Sequence, residues 1–186
     1  MSNNESIKQS IIKERISEIK SKKFSFQLNR IKLPNGHEGE YGSIKHPGAA
    51  MAVPITSDNK IIILRQYRFA ISRYLIEFPA GTLEAEESPL NAIKREIQEE
   101  TGYRANNWEN LGVLVPAPGY ADEEIHIFLA SELSKLKIKP KGDSDEDIEV
   151  IILNPDELDK IISSGEEILD AKTVTAWFRA KQFLRL

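Results

Sequence analysis

The chain contains no cysteine, which excludes disulfides, thiolate nucleophiles and cysteine-ligated zinc. It also lacks a long apolar run: nothing approaches the ~18–20 consecutive apolar residues of a bilayer-spanning helix. The opening MSNNESIKQS lacks the basic-then-apolar plan of a secretory signal. Nor is positive charge in excess. Lys and Arg number 25 against 29 Asp and Glu, a net charge of −4, so the basic face that nonspecific nucleic-acid binding requires is missing. Mild acidity still permits a small anionic ligand, because a bound cation reverses the local sign. These absences predict a cytoplasmic protein with no membrane and no nucleic-acid partner.

What remains is a chain of 186 residues, 40% hydrophobic and 29% charged, a composition that suits one globular domain with a sizeable core and a small appendage. Ile7, Ile11, Ile12, Ile16 and Ile19 fall at helical spacing among charges, which predicts a helix over 4–20. From Phe24 the pattern alternates. Phe24–Leu33 and Glu38–Lys45 flank the turn Pro34-Asn35-Gly36, which predicts a β-hairpin. The expected organisation is a helical extension over 1–22, a hairpin region over 23–48 and the main domain over 49–186.

In the main domain, 50–56, 60–67, 74–78, 110–115, 124–130 and 148–153 read as strands. Ser88-Pro89 opens a helix and Gly102 closes it, since serine caps well, proline is tolerated at the first position and glycine suits the end. Further helices are expected over 155–163 and 173–184. Strands and helices alternate without a regular βαβ rhythm, which predicts an α+β protein with a mixed sheet flanked by helices.

The segment 81–103, GTLEAEESPLNAIKREIQEETGY, carries the chemistry. At about 100° per residue, Leu90, Ile93 and Ile97 form one apolar stripe, which Thr101 extends. Glu96 and Glu100, four apart, stack beside that stripe, with Glu99 within reach of Glu96. Three like charges on one helix edge repel unless neutralised, and a hard dication held by oxygen ligands would relieve them. The plainer reading is a solvated glutamate face with Arg95 and Glu99 as an ordinary surface pair. The longer pattern decides between the two.

Gly81, Glu87, Arg95, Glu96, Ile97, Glu99, Glu100, Gly102 and Tyr103 resemble the Nudix box, G-x5-E-x7-R-E-U-x-E-E-x-G-U, where U is a bulky apolar residue. All seven fixed positions match. The resemblance implies a Nudix fold, an α/β/α sandwich with a mixed β-sheet, and hydrolysis of a nucleoside diphosphate joined to another group. It implies metal ligation by Glu96, Glu100, the auxiliary Glu99 and the carbonyl of Ala80, with Arg95 and Glu87 paired to hold loop to helix. The implied cofactor is Mg²⁺ or Mn²⁺, about two or three ions per site.

Outside the box, Arg65-Gln66-Tyr67-Arg68, Ile76-Glu77-Phe78-Pro79-Ala80-Gly81, Pro118 within APGYADEEIHIFLA, and Asp170-Ala171-Lys172-Thr173 look like the ADP-ribose pyrophosphatase branch. That branch implies cleavage of ADP-ribose to AMP and ribose 5-phosphate. The alternatives are a GDP-mannose or other nucleotide-sugar pyrophosphatase and, more remotely, a non-catalytic Nudix-fold sensor. By motif, Arg68 would contact the phosphates, as a guanidinium fork suits phosphate oxygens; a surface arginine after a strand is the plainer alternative. Glu77 would orient loop or metal-bound waters, or be structural.

The branch also implies a carboxylate well after the box that positions or deprotonates water, and Glu146, then Asp145, is chosen from the acidic run 143–147. The hairpin resembles a dimerisation and base-binding region, which implies a homodimer and makes Tyr41, His46 and Pro118 candidates for substrate binding. Gly42 departs from the branch, where an acidic residue often reads adenine; the departure bears on base specificity rather than on hydrolysis. His126 lies within a strand pattern and is read as structural, as are Trp108 and Trp177.

Overall fold

The computed structural model describes residues 9–142, 146–166 and 169–185. The chain divides into two units, Met1–Pro47 with Ala117–Glu123, and Gly48–Pro116 with Glu124–Leu186.

The first unit is built on an antiparallel sheet of β1 (Ile11–Lys20), β2 (Ser25–Lys32) and β3 (Glu38–Lys45) in that spatial order. The hairpin β2–β3 turns where expected: Gly36 sits at φ 89, and the His37 amide donates to Asn35 Oδ1 at 3.0 Å. The helical extension is corrected. Ile11–Lys20 is a strand paired along its length with β2, in a register that slips between Ile12 and Glu14 and again between Arg15 and Ser17. Each slip interrupts the alternation by which a strand is recognised, and leaves isoleucines at helix-like intervals. The unit is polar where it is buried. Gln27 and Asn29 of β2 are 5% and 1% exposed, whereas Ile11, Ile12, Ile19, Phe24 and Phe26 lie open.

The second unit holds two sheets. One is mixed, ordered β7 (Ala80–Thr82), β4 (Ala49–Pro54), β9 (Ile125–Lys135) and β8 (Tyr103–Leu114), with β4 parallel to β9. The other is antiparallel: β10 (Ile148–Leu153), β5 (Ile61–Arg68) and β6 (Arg73–Glu77). Every residue of β4 is buried, as its unbroken apolar run demands of a strand covered on both faces. Ala49, Met51 and Val53 join a core with Trp177, Ala176 and Leu158, from helices α2 (Pro155–Ser164) and α3 (Ala171–Leu184). Ala50 and Ala52 face the other way, toward Ala92 and Ile93 of α1 (Pro89–Glu96). Alternation along one strand therefore separates two helical layers, the expected α/β/α sandwich around a mixed sheet.

The strands expected over 50–56, 60–67, 74–78 and 148–153 stand within a residue or two of place. Those expected over 110–115 and 124–130 run longer. The three-residue β7, too short to show in the sequence pattern, was not expected. It pairs with β4 through Gly81 opposite Ala50, which brings Ala80 and Gly81 to the edge on which α1 packs. The helix expected over 88–102 is two pieces, α1 and a π-helical segment Ile97–Thr101. Ser88 caps the start by accepting from the Asn91 amide, and Gly102 ends it at φ 76. Among the described residues no helix is long and apolar enough to cross a membrane.

Candidate active site

The π segment sets which glutamates face inward. π turns are rare and gather at functional sites; here Ile97, Glu100 and Thr101 are buried together. Glu100 is only 3% exposed, and its Oε2 accepts the Ala80 amide at 3.1 Å. Burial pushes its carboxyl well above the usual carboxylate range, and the neighbouring charges of Glu96 and Glu146 push the same way. Glu96 is raised too, chiefly by burial, against the pull of Arg95. Its carboxylate lies over Gly81: a Cβ there would come within 1.8 Å of Glu96 Oε1.

Arg95 is the cation among these acids. Nε and Nη2 donate to the two oxygens of Glu87 at 3.2 and 3.1 Å, the expected loop-to-helix pair. Nη1 donates to Glu96 at 2.7 Å and to Glu99 at 3.3 Å. The hydrogen bond from Arg95 holds the Glu87 carboxyl below its usual range.

Arg68 and Glu77 meet beside this group. Arg68 Nε and Nη2 each donate to a Glu77 oxygen at 2.7 Å, and the Lys172 ammonium also donates to Glu77. Burial pushes the Glu77 carboxyl up, but the two cations outweigh it and hold it below the usual range. The bond to Glu77 raises Arg68 in turn, with Asp170 and Glu100 adding to it. Thus Arg68, expected on substrate phosphates, already grips a buried carboxylate along one edge and keeps Nη1 uncommitted to Glu77.

The motif 170–173 has a structural task. Asp170 caps α3 by accepting from the Thr173 amide at 2.8 Å, and Thr173 Oγ1 accepts from the Phe78 amide at 3.1 Å. With Lys172 on Glu77, the start of α3 therefore grips the strand end just before Ala80. Sequence reasoning gave these residues no role, although the motif itself was the available signal.

The chosen base, Glu146, is brought close enough for its charge to act on both Glu96 and Glu100. Asp145, the second choice, lies outside the described residues. Lys139, which carried no sequence signal, donates to the Glu100 carbonyl at 2.7 Å.

Tyr41, His46 and Pro118 belong to the first unit. Tyr41 stands opposite Asn29 on β3. The His46 amide donates to Asp122 Oδ1 at 2.9 Å, and its Nδ1 lies 3.6 Å from Glu123. Pro118 lies in the turn that the Tyr120 and Ala121 amides close on the Ala117 carbonyl. At Gly42 a Cβ would meet the tip of the Phe26 ring at 2.7 Å, so any larger residue there would have to displace that half-exposed ring.

Among the described residues no group of three acidic or histidine side chains stands in metal-ligating geometry; Arg95 holds Glu96 and Glu99 instead. The donors nevertheless suit a hard divalent cation. They are all oxygens, the buried Glu100 and the half-buried Glu96 are both raised, and one guanidinium is shared among Glu87, Glu96 and Glu99.

Comparison with known proteins places the chain in a family. A family model described as the NUDIX domain matches residues 45–178. The ADP-ribose pyrophosphatase of Bacillus subtilis (strain 168) is 39% identical over 166 residues, covering 89% of this chain and 88% of that protein. The methanol dehydrogenase activator of Bacillus methanolicus is 39% identical over 150 residues, 81% of this chain and 80% of its own length. The GDP-mannose pyrophosphatase of Escherichia coli (strain K12) is 36% identical over 134 residues, 68% and 69% of the two. A crystal structure of an ADP compounds hydrolase superposes with a TM-score of 0.81, covering 97% of this chain and 96% of that one; at 24% identity it shows the shared fold.

Proposed function

This chain belongs to the NUDIX domain family, and on that premise we propose that it hydrolyses the diphosphate bond of ADP-ribose to AMP and ribose 5-phosphate. The observation that carries the reading is the buried Glu100 beside Glu96, two raised carboxylates against the Gly81 loop. Like charges held close together away from water are costly, and a divalent cation bound by these carboxylates would relieve the cost.

We infer Mg²⁺ or Mn²⁺, about two or three ions held by Glu96, Glu99, Glu100 and the Ala80 carbonyl; when bound, such ions neutralise the diphosphate and acidify water. The chain's own residues do the rest. The Ala80 amide fixes Glu100 against the loop, and Arg95 fixes Glu96 and Glu99 from the far side. Arg68, held by Glu77 through Nε and Nη2, presents Nη1 to a phosphate oxygen. Glu146 takes the proton of the water that attacks phosphorus as the bridging P–O bond breaks. Pre-positioned groups of this kind lower the barrier because they need no reorganisation during reaction.

Tyr41, His46 and Pro118 are proposed as base contacts on the family resemblance alone. A homodimer is supported by the open apolar residues of β1 and β2, which a second copy would cover. Intracellular nucleotide substrates favour the cytoplasm.

A second reading, a GDP-mannose pyrophosphatase, is favoured by the similarity to the Escherichia coli protein. It uses the same carboxylates with a different base pocket. A non-catalytic sensor is disfavoured because every box carboxylate is kept. Turnover of ADP-ribose beside GDP-mannose, with and without chelator, tests the proposal.

A further inference from the structure

We propose that Lys139 is a positioning residue that straps residues 136–142, which end beside Glu146, onto the end of the glutamate helix. The inference rests on the reading of Glu146 as the group that takes the proton from water.

Two hydrogen bonds and one close approach, in succession, carry it. The Leu136 amide donates to the Gly102 carbonyl at 2.9 Å. The Lys139 ammonium donates to the Glu100 carbonyl at 2.7 Å. A Cβ added at Gly142 would lie 3.6 Å from the Glu99 carbonyl and 3.9 Å from Oε2 of Glu146. Residues 136–142 thus follow the last carbonyls of the helix, 102, then 100, then 99, and end beside the Glu146 carboxylate.

Those carbonyls are the groups a helix end leaves without intrahelical partners, and a lysine is favoured there by the dipole as well. Gly102 contributes the floor. It closes the helix at φ 76, and the Cβ, Cγ and Cδ of Lys139 each lie 3.6 Å from where its Cβ would be, so the lysine stem lies flat across it. The following Pro140 restricts the backbone to one φ. Lys135, Lys137 and Lys141 make no side-chain hydrogen bond or ion pair among the described residues, so Lys139 alone of the four lysines in 135–141 is committed to the helix.

The test compares Lys139→Met, Lys139→Arg, Glu146→Gln and the Met–Gln double variant by two readouts. In metal-free protein, amide exchange over 136–142 should speed up in Lys139→Met and return to normal in Lys139→Arg, with the rest of the chain unchanged. With ADP-ribose and Mg²⁺, Lys139→Met should lower kcat about tenfold with KM nearly constant, since misplacing a reacting group costs rate rather than binding. Lys139→Arg should restore kcat. In the Glu146→Gln background Lys139→Met should cost nothing further, as residues acting through one another do not add.

Unchanged exchange in Lys139→Met would overturn the strap. An equal kcat loss in both backgrounds would mean that Lys139 does not act through Glu146, and would overturn the positioning role. Wild-type kcat in Glu146→Gln would overturn the base reading and the proposal with it, while the exchange data would still report the strap separately.

Discussion

The Glu96 carboxylate occupies the space in which any residue but glycine at position 81 would place its Cβ, 1.8 Å from Oε1 and 2.4 Å from Cγ. Loop and helix approach each other through that one missing side chain. Gly81→Ala should therefore expel Glu96 and lower kcat by about 100-fold. The displaced atoms are the end of a flexible side chain, so far-ultraviolet circular dichroism should stay normal. Activity within twofold of the parent would show that the Glu96 position does not matter to the reaction.

Glu100→Gln separates function from stability. The amide oxygen can still accept the Ala80 N–H, but the buried charge is gone. The folded carboxyl is raised well above its ordinary value of 4.5, so the folded state binds more protons than the unfolded one and stability falls as pH rises through that interval. The metal-free variant should melt higher than the parent at pH 7–8, by a few degrees for each kcal/mol relieved, and the gain should vanish near pH 4. Its kcat should fall by orders of magnitude, and Mg²⁺ should raise its Tm less than that of the parent. A variant that melts lower at neutral pH would show that the buried carboxylate stabilises the metal-free fold.

Arg68→Ala tests the phosphate contact. Loss of the fork should raise KM about tenfold or more with a smaller change in kcat. It should also destabilise by about 1–3 kcal/mol, less than the ~3–5 of a fully buried pair, because Arg68 is 40% exposed and Lys172 remains on Glu77. Arg68→Lys should recover less than half of the binding loss, since an ammonium cannot make the two-pronged contact. Unchanged KM in Arg68→Ala would confine Arg68 to holding Glu77.

What was legible in the sequence was local or periodic. Ser88-Pro89 and Gly102 mark the helix because capping acts within a few residues, and β4 shows as an unbroken apolar run. The glutamate spacing placed Glu96 and Glu100 on one edge. It did not show that Glu100 is buried, because uniform α-helical rotation misses the wider π turn at Ile97–Thr101. β1 was misread because two register slips break its alternation. The pairings made by Lys172 and Lys139 were not legible for another reason: their partners Glu77 and Glu100 lie 95 and 39 residues away, and no local pattern encodes such pairs.

The most direct test is turnover by purified protein of ADP-ribose beside GDP-mannose, in Mg²⁺ and again after chelation, with products separated by chromatography. The account predicts AMP and ribose 5-phosphate from ADP-ribose only when metal is present, with slower turnover of GDP-mannose. Faster turnover of GDP-mannose would keep the chemistry and reassign the base pocket. Tight binding of ADP-ribose with no hydrolysis of either compound would contradict the account.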